Sequence, residues 1–489
     1  MEENIKEIKQ KTISGMFWRF SERTLSKLIS LVVSIILARI LLPEEYGIIA
    51  IVTVFIALAD VFVTNGLGTA LIQKKNSDEI DFSTMFYASI CFGIILYMIL
   101  FLSAPVISNI YQNEILTPIL RVMGLRIPIA AINSIQQAYV SKHMIYRKFF
   151  YSTLIGTIAS AIVGIAMAKL GYGVWALVAQ YLTNAVFDTA VLSVTVKWRP
   201  KLIFSIKRFK ALFSYGWKIM ISNFIGTFFN QLKGLIIGIK YTPTDLAFYN
   251  RGEQIPLFIS NNINSTVESV LFPAISKVQD NVEMLKKAVR RMMKVSSYII
   301  MPMLLGLAAT AETLVTIILT DKWLACVPFL IVICFQECLS ILNTANLQAI
   351  KATGRSDIFL KLELIKKPIY LVFIIITMFI SPLAMAIGNA LYGIVALCIN
   401  VKPNKTLLNY SIREQIKDVM GNFWLAATMF IIVTFIGKLS LNIYVILILQ
   451  ILVGMSYYIG LSKLVKLETY EYIKNTIKEF IKSRKLKKF

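Results

Sequence analysis

The segment IILARILLPEEYGIIAIV, residues 35–52, places an arginine, a proline, two glutamates and a tyrosine between two apolar runs. A similar segment, LIIGIKYTPTDLAFYN, occupies residues 235–250. Proline ends a helix because it lacks a backbone N–H and its ring clashes with the preceding turn. Each segment therefore predicts a turn between two apolar helices, one turn in each half of the chain.

The composition predicts a membrane protein. Of the 489 residues, 57% are hydrophobic and 16% are charged, and the mean hydropathy is +0.69. Apolar segments of about 20 residues, enough to cross a hydrocarbon layer about 30 Å thick, recur along nearly the whole chain. Because the backbone must satisfy its own hydrogen bonds in lipid, these segments predict helices. We expect an all-α polytopic membrane protein with about fourteen transmembrane helices. In chain order, the predicted spans lie near residues 13–41, 46–72, 83–108, 117–140, 150–169, 173–195, 212–238, 245–271, 293–314, 324–348, 358–380, 383–400, 418–437 and 441–462.

Lysine and arginine are concentrated in alternate connections between the apolar segments. Examples are KWRPKLIFSIKRFK at residues 197–210 and the basic tail at residues 463–489. The positive-inside rule places these connections and both termini in the cytoplasm. These loops and the tail account for most of the net charge of +24, and the lysines of the tail would face anionic head groups. We therefore expect membrane lipids, and not nucleic acid, as partners of the basic segments.

Motifs of soluble enzymes and metal sites are missing from the sequence. It contains no GxxxxGK[ST], HExxH or GxSxG pattern. The one histidine, His143, lies far in sequence from Cys334 and Cys338, which would share a helical face but are better explained by packing. The sequence thus predicts neither an enzyme nor a metal site, and it indicates no cofactor.

An internal repeat organises the chain. Trp18 aligns with Trp217, Pro43 aligns with Pro243, and a Gln-Ala pair precedes a basic turn at residues 137–138 and again at 348–349. Each half would hold six helices that enter from the same side, so the repeat is parallel and its pseudo-two-fold axis lies along the membrane normal. The predicted parts are an N-lobe at 1–208 (helices 1–6), a C-lobe at 209–400 (helices 7–12), two extra C-terminal helices at 401–462, and the tail at 463–489. This arrangement is typical of alternating-access transporters, and a duplicated channel subunit is the alternative.

Polar residues inside the predicted spans are the candidates for a functional site, because a charge in the membrane is costly and faces protein or water. Arg19, Glu22 and Arg23 either form a local interfacial group or line a path. Asp60, Asp188 and Glu268 are either paired structural carboxylates or ion-coupling sites. The predominance of arginine and lysine favours an anionic substrate, since guanidinium binds phosphate oxygens in a fork. Gly156, Ser160, Gly164 and Ala168 form a ridge of small residues that predicts helix packing.

Several motifs together resemble one known family. They include SGMFWRF at 14–20, LARILLPEEYG at 37–47, NGLGTALIQ at 65–73, PTDLAFYNRGEQIP at 243–256, VLFPAISKVQDNVEMLKKAVRRMMK at 270–294, YIIMPMLLGLAA at 298–309 and QAIKATGRSD at 348–357. The family is that of the polysaccharide (O-antigen type) flippases of the multidrug/oligosaccharidyl-lipid/polysaccharide exporter superfamily. The resemblance covers nearly the whole chain.

The resemblance implies fourteen helices in two rocking lobes and an undecaprenyl-diphosphate-linked oligosaccharide as substrate, moved across the bacterial cytoplasmic membrane for surface polysaccharide or lipopolysaccharide biosynthesis. A polysaccharide polymerase and glycosyltransferases would be its partners. Arginines in the first and eighth spans are similar to those of family members that move lipid-linked pyrophosphates. The implied substrate-binding residues are Arg19, Arg23 and Arg251, followed by Lys233, Asn223, Asn230 and Asn261. Two alternatives are a multidrug or cation antiporter of the same superfamily and a membrane scaffold for glycosyltransferases that transports nothing.

Overall fold

Helices account for nearly all of the chain. The computed structural model describes residues 2–64, 66–276 and 281–486. The first half contains α1 Glu2–Ile40, α2 Pro43–Thr64, α3 Leu67–Gln73, α4 Glu79–Ile110, α5 Leu116–Met123, α6 Arg126–Lys142, α7 Arg147–Lys169, α8 Val174–Thr195 and α9 Ile206–Lys240. The second contains α10 Pro243–Ser276, α11 Val282–Ala309, α12 Ala311–Leu319, a 3-10 helix Asp321–Cys326, α13 Val327–Glu337, α14 Ser340–Ala352, α15 Ser356–Thr377, α16 Pro382–Leu408, α17 Ile412–Ile436, α18 Ile443–Leu464 and α19 Glu468–Leu486.

The two turns at Pro43 and Pro243 have the same local hydrogen bonding. Pro43 begins α2 and Pro243 begins α10, so each proline stands where its missing N–H costs nothing. Two residues after each proline, a carboxylate accepts a hydrogen bond from the backbone N–H just before that proline. Leu42 N–H donates to Glu45 Oε2 at 2.7 Å, and Thr242 N–H donates to Asp245 Oδ2 at 3.1 Å. The repeated turn is thus a structural device that starts a helix.

The expected all-α membrane fold is confirmed. Helices lie at all fourteen predicted spans, and ten helical stretches in the described part of the chain are long and apolar enough to cross a membrane. Those ten do not include α1, α9, α10 or α15, and three of these four carry candidate polar residues. The count of fourteen transmembrane helices therefore stays a prediction.

The chain divides into two compact units, Met1–Ala247 and Phe248–Phe489. In the first unit, α9 packs against α2 and α3, and α7 packs along α8. In the second unit, α17 packs along α11 and α18 packs on α17. The predicted boundary at residue 208 concerns the sequence repeat, whereas the division at residue 247 concerns packing, so the lobes expected from the repeat stay a prediction.

The fourth and tenth predicted spans are both interrupted. The fourth consists of α5 and α6, which are separated at Gly124 and Leu125, and the tenth consists of α13 and α14, which are separated at Cys338 and Leu339. The sequence repeat aligns these same two spans through their Gln-Ala pairs. The interruptions begin 13 and 10 residues before the aligned Gln-Ala pairs, so they do not fall at matching positions, and the repeat stays a prediction.

Candidate functional site

A buried charged group joins α1 to α7 in the first unit. Arg19 Nη1 lies 2.7 Å from Glu22 Oε2, and the Arg19 guanidinium stacks 4.3 Å above the ring centre of Phe149. The other Glu22 oxygen, Oε1, accepts a hydrogen bond of 3.2 Å from Thr153 Oγ1. Glu22 is only 8% exposed. Arg19 therefore takes part in the local pairing that was one of its two predicted roles.

Asp188 lies beside this group. Its Oδ2 accepts a hydrogen bond of 2.7 Å from Asn133 Nδ2 on α6, and Ser152 of α7 lies close enough to hydrogen-bond the same carboxylate. Glu22 and Arg19 lie near enough to interact with the Asp188 carboxylate electrostatically. Two carboxylates, Glu22 and Asp188, thus lie near one guanidinium, and among the described residues only Glu22 is ion-paired with it. Such a group gains from binding a proton or a small cation, because its excess negative charge is costly inside a membrane.

Close packing of α7 on α8 holds Asp188 in position. A side chain at Gly156 would come within 3.2 Å of Asn184 O and of Asp188 N, and one at Gly164 would come within 3.0 Å of Gln180 Cβ. The small residues of α7 therefore permit the two backbones to approach, as the ridge of small residues predicted. Gln180, Asn184 and Asp188, which follow one another at four-residue steps on α8, lie at this contact.

The second candidate carboxylate of this unit, Asp60, is paired. Its Oδ2 lies 3.7 Å from Arg126 Nη2, which belongs to the first residue of α6. Asp60 Oδ1 is buried and has no hydrogen-bond partner in the described ranges. The pair links α2 to α6, which fits a structural carboxylate better than a second coupling site.

The other predicted binding residues are mostly exposed on their own helices. Arg23 on α1 is exposed, although α1 is one of the predicted spans. Lys233 on α9 is half-buried. The remaining exposed candidates, on α9 and α10, are Asn223, Asn230, Asn261 and Glu268.

Arg251 is packed inside the second unit. It is 8% exposed, its Nη1 donates to Gln254 Oε1 at 2.8 Å, and its guanidinium lies 4.9 Å from the ring centre of Trp323. The neighbouring Gly252 has no room for a side chain, since a Cβ there would come within 2.9 Å of the Cys326 carbonyl oxygen. Arg251 would have to leave this packing to touch a substrate.

Amide side chains of α16 form a hydrogen-bonded ladder that sequence reasoning missed. Asn400 Nδ2 donates to Asn343 Oδ1 at 2.9 Å, and Asn404 Nδ2 donates to Asn346 Oδ1 at 2.7 Å. Gln415 of α17 exchanges hydrogen bonds with Asn346 at 2.8 and 3.0 Å. Asn343 and Asn346 therefore join α14 to α16 and α17. The four-residue spacing of Asn400 and Asn404 is the signal that could have revealed it.

Ion pairs fix the start of α4. Asp81 is fully buried, with Lys74 Nζ at 2.6 Å and Arg208 Nη1 at 3.3 Å from its oxygens. Arg208 also donates to Asp78, the N-cap residue of α4. This hydrogen bond from Arg208, followed by one from the Asp81 backbone, lowers the pKa of Asp78 to about 2. The network ties the first turn of α9 to the α3–α4 connection and the start of α4.

This all-helical fold, with ten apolar helical stretches and charged groups buried among them, defines a multi-pass membrane protein. The chain belongs to the polysaccharide biosynthesis protein family, whose sequence profile matches residues 36–328. The expected family resemblance is thereby confirmed.

The chain is also similar to individual known proteins. The chain is 25% identical over 423 residues to the lipopolysaccharide biosynthesis protein WzxC of Escherichia coli K12, covering 85% of this chain and 83% of that protein. Its fold matches the lipid II flippase MurJ in an inward closed conformation, with a TM-score of 0.74, 15% identity, and coverage of 92% of this chain and 98% of that one. It also matches an inward-facing multidrug resistance MATE family transporter of the MOP superfamily, with a TM-score of 0.57, 15% identity, and coverage of 79% and 96%.

Proposed function

We propose that this protein is a flippase that moves an undecaprenyl-diphosphate-linked oligosaccharide from the cytoplasmic to the outer leaflet of a bacterial cytoplasmic membrane. The observation that carries the proposal is the match to the polysaccharide biosynthesis protein family over residues 36–328. The likeness to WzxC agrees with a glycan substrate. The product would serve surface polysaccharide synthesis. Glycosyltransferases would assemble the oligosaccharide before transport, and a polymerase would use it afterwards. Both termini would lie in the cytoplasm.

In this proposal, exposed polar residues contact the substrate and buried ones hold the helices. Arg23 is the first candidate for the diphosphate, because an exposed guanidinium within a predicted span is tolerated only where it faces water or ligand. A guanidinium binds two phosphate oxygens at once, which suits a diphosphate. The exposed amides Asn223, Asn230 and Asn261 would bind sugar hydroxyls. Arg19 and Arg251 would act on the substrate only after leaving their present partners.

The Arg19–Glu22–Asp188 group is the proposed coupling site. Arg19 is paired with Glu22, and Asp188 adds a second carboxylate beside this pair, so taking up a proton or a monovalent cation would neutralise the group. Because α1, α6, α7 and α8 all meet there, such neutralisation would change the packing of four helices together. The paired Asp60 and the exposed Glu268 are weaker candidates for this role.

Deleting the gene and measuring lipid-linked intermediates by mass spectrometry tests the proposal. A flippase predicts accumulation of a diphosphate-lipid oligosaccharide, which wild-type protein restores to normal. Arg23→Gln should slow the clearance of this intermediate about tenfold, since it removes a charge-assisted phosphate contact. Arg413→Gln is the matched control, because Arg413 is an exposed arginine at the start of α17. Normal glycan with no accumulated intermediate after deletion would contradict the proposal.

A multidrug or cation antiporter is the second candidate function. It is favoured by the excess negative charge of the Arg19–Glu22–Asp188 group, since an acidic site in the membrane suits an organic cation. The deletion experiment separates the two functions. An antiporter predicts cells that become sensitive to cationic drugs while their lipid-linked sugars stay at the wild-type level.

A further inference from the structure

A basic cavity lies in the second unit between the start of α11 and α19. Its volume is about 800 Å³, within the range of small-molecule sites. The polar lining is supplied by Lys287, Arg290, Arg291, Lys294, Glu468 and Tyr472. Four cationic side chains thus face one carboxylate, so the cavity is suited to an anion.

Part of this positive charge is neutralised inside the protein. Arg290 binds the nearly buried Asp418 of α17 through Nε at 2.6 Å and Nη2 at 2.7 Å. Lys294 Nζ lies 2.6 Å from Glu468 and 3.6 Å from Asp418. These two cations therefore build the wall of the cavity and hold α11, α17 and α19 together.

The other two cations remain available to a ligand. Arg291 is exposed, its guanidinium lies 3.6 Å from the ring centre of Tyr472, and no carboxylate pairs with it among the described residues. Within the described part of the chain, Lys287 pairs only with Glu283, one helical turn away, and both side chains are more than 70% exposed. Such exposed pairs are weak and exchange readily with a stronger anion. Arg291 and Lys287 can thus point two charges at the same bound group.

The depth of the cavity matches the lipid head groups. The basic residues occupy the first turns of α11, whereas the rest of this helix is apolar and belongs to a candidate membrane span. Lys287 and Lys294 are about 10 Å apart along the helix axis, so the basic stretch spans the head-group layer, about 5–8 Å thick in one leaflet, and reaches into the adjoining water. Tyr472 is of the residue type that concentrates at this interface. The positive-inside rule makes this the cytoplasmic leaflet.

We propose that the α11–α19 cavity binds the phosphate of an anionic phospholipid head group. Arg291, held by Tyr472, supplies a planar fork for two phosphate oxygens, and Lys287 adds a point charge. Basic pockets beside membrane helices are known to favour such head groups over neutral ones. A lipid is favoured over free phosphate because the cavity lies at head-group depth, where lipid phosphates are concentrated. The proposal does not depend on which substrate the protein transports.

Lipid titration of the purified full-length chain in detergent, read by native mass spectrometry, tests this site. The probes are dioctanoyl phosphatidylglycerol, dioctanoyl phosphatidylcholine and inorganic phosphate. Arg291→Gln is the main variant, and Lys287→Gln is a second pocket variant should the first give little folded protein. Arg413→Gln is the control, because Arg413 is an exposed arginine in the first turn of α17. The Lys286–Glu414 ion pair of 3.0 Å ties this turn to the start of α11.

The proposal expects phosphatidylglycerol to bind at least about tenfold more tightly than phosphatidylcholine. It expects Arg291→Gln or Lys287→Gln to weaken phosphatidylglycerol binding about 5- to 30-fold, while Arg413→Gln changes it less than about twofold. An equal loss in Arg413→Gln would overturn it in favour of diffuse surface charge. Equal binding of both lipids would also overturn it, as would inorganic phosphate that binds as tightly as phosphatidylglycerol.

Discussion

Replacing Gly47 with alanine tests how the two proline turns meet in the first unit. Gly47 is the fifth residue of α2, and an ideal Cβ built on it lies 1.8 Å from the carbonyl oxygen of Pro243 and 2.2 Å from the carbonyl carbon. The neighbouring atoms belong to the backbone, so no side chain can rotate away. The starts of α2 and α10 touch only because residue 47 has no side chain.

The expected cost follows from this geometry. An ordinary contact between a Cβ and an oxygen begins near 3.4 Å, so one of the two turns must move by about 1.5 Å. Overpacking of this kind costs about 1–3 kcal/mol, and the better helix propensity of alanine offsets up to about 1 kcal/mol. We expect a net destabilisation of about 1–2 kcal/mol. For a unit of this size, that lowers the Tm by about 2–8 °C.

Gly226→Ala is the matched control. Gly226 lies within α9 of the same unit, and an added Cβ there meets no atom within 4 Å. The same chemical change should leave the Tm unchanged or raise it slightly. Both variants are compared with wild type by thermal unfolding of the purified protein in one detergent. If Gly47→Ala is as stable as Gly226→Ala, the close contact between the two turns is refuted.

Three further predictions concern single groups. Asp188→Asn keeps an acceptor for Asn133 but removes a titratable carboxylate. It should abolish clearance of lipid-linked oligosaccharide in cells while changing the Tm by no more than a few degrees. Near-normal clearance would show that Asp188 is not part of the coupling site. Asn404→Leu removes two buried hydrogen bonds to Asn346, so thermal unfolding should report a loss of about 1–2 kcal/mol, and an unchanged Tm would show that the amide ladder adds no stability. The pKa of Asp78 is lower in the folded protein, about 2, than in the unfolded chain, near 4, so the ionised carboxylate stabilises the fold above pH 4 and this contribution is lost as the pH falls toward about 2. Arg208→Gln should therefore flatten the pH dependence of the Tm between these values. An unaltered slope would contradict the role of that hydrogen bond.

The candidate site was only partly predictable. The sequence identified Asp188 as a polar residue in a span and the α7 ridge as a packing surface, and both features meet in the structure. It did not reveal that Arg251 packs beneath Trp323, because that contact joins residues distant in sequence. The same holds for the pairing of Asn400 with Asn343. Helical spacing shows which residues share a face, but not which neighbour that face meets.

The sequence by itself determined the membrane class, the helical fold, the repeated turn and the family. These depend on local properties: the length of apolar runs, the charge of short connections, and a proline followed two residues later by a carboxylate. Only the tertiary structure decided how polar residues are used. It paired Asp60 with Arg126 and Arg290 with Asp418, and it left Arg23 and Arg291 exposed. The physical reason is that the cost of a charge in a membrane protein depends on its partners and on water, and distant parts of the chain supply the partners.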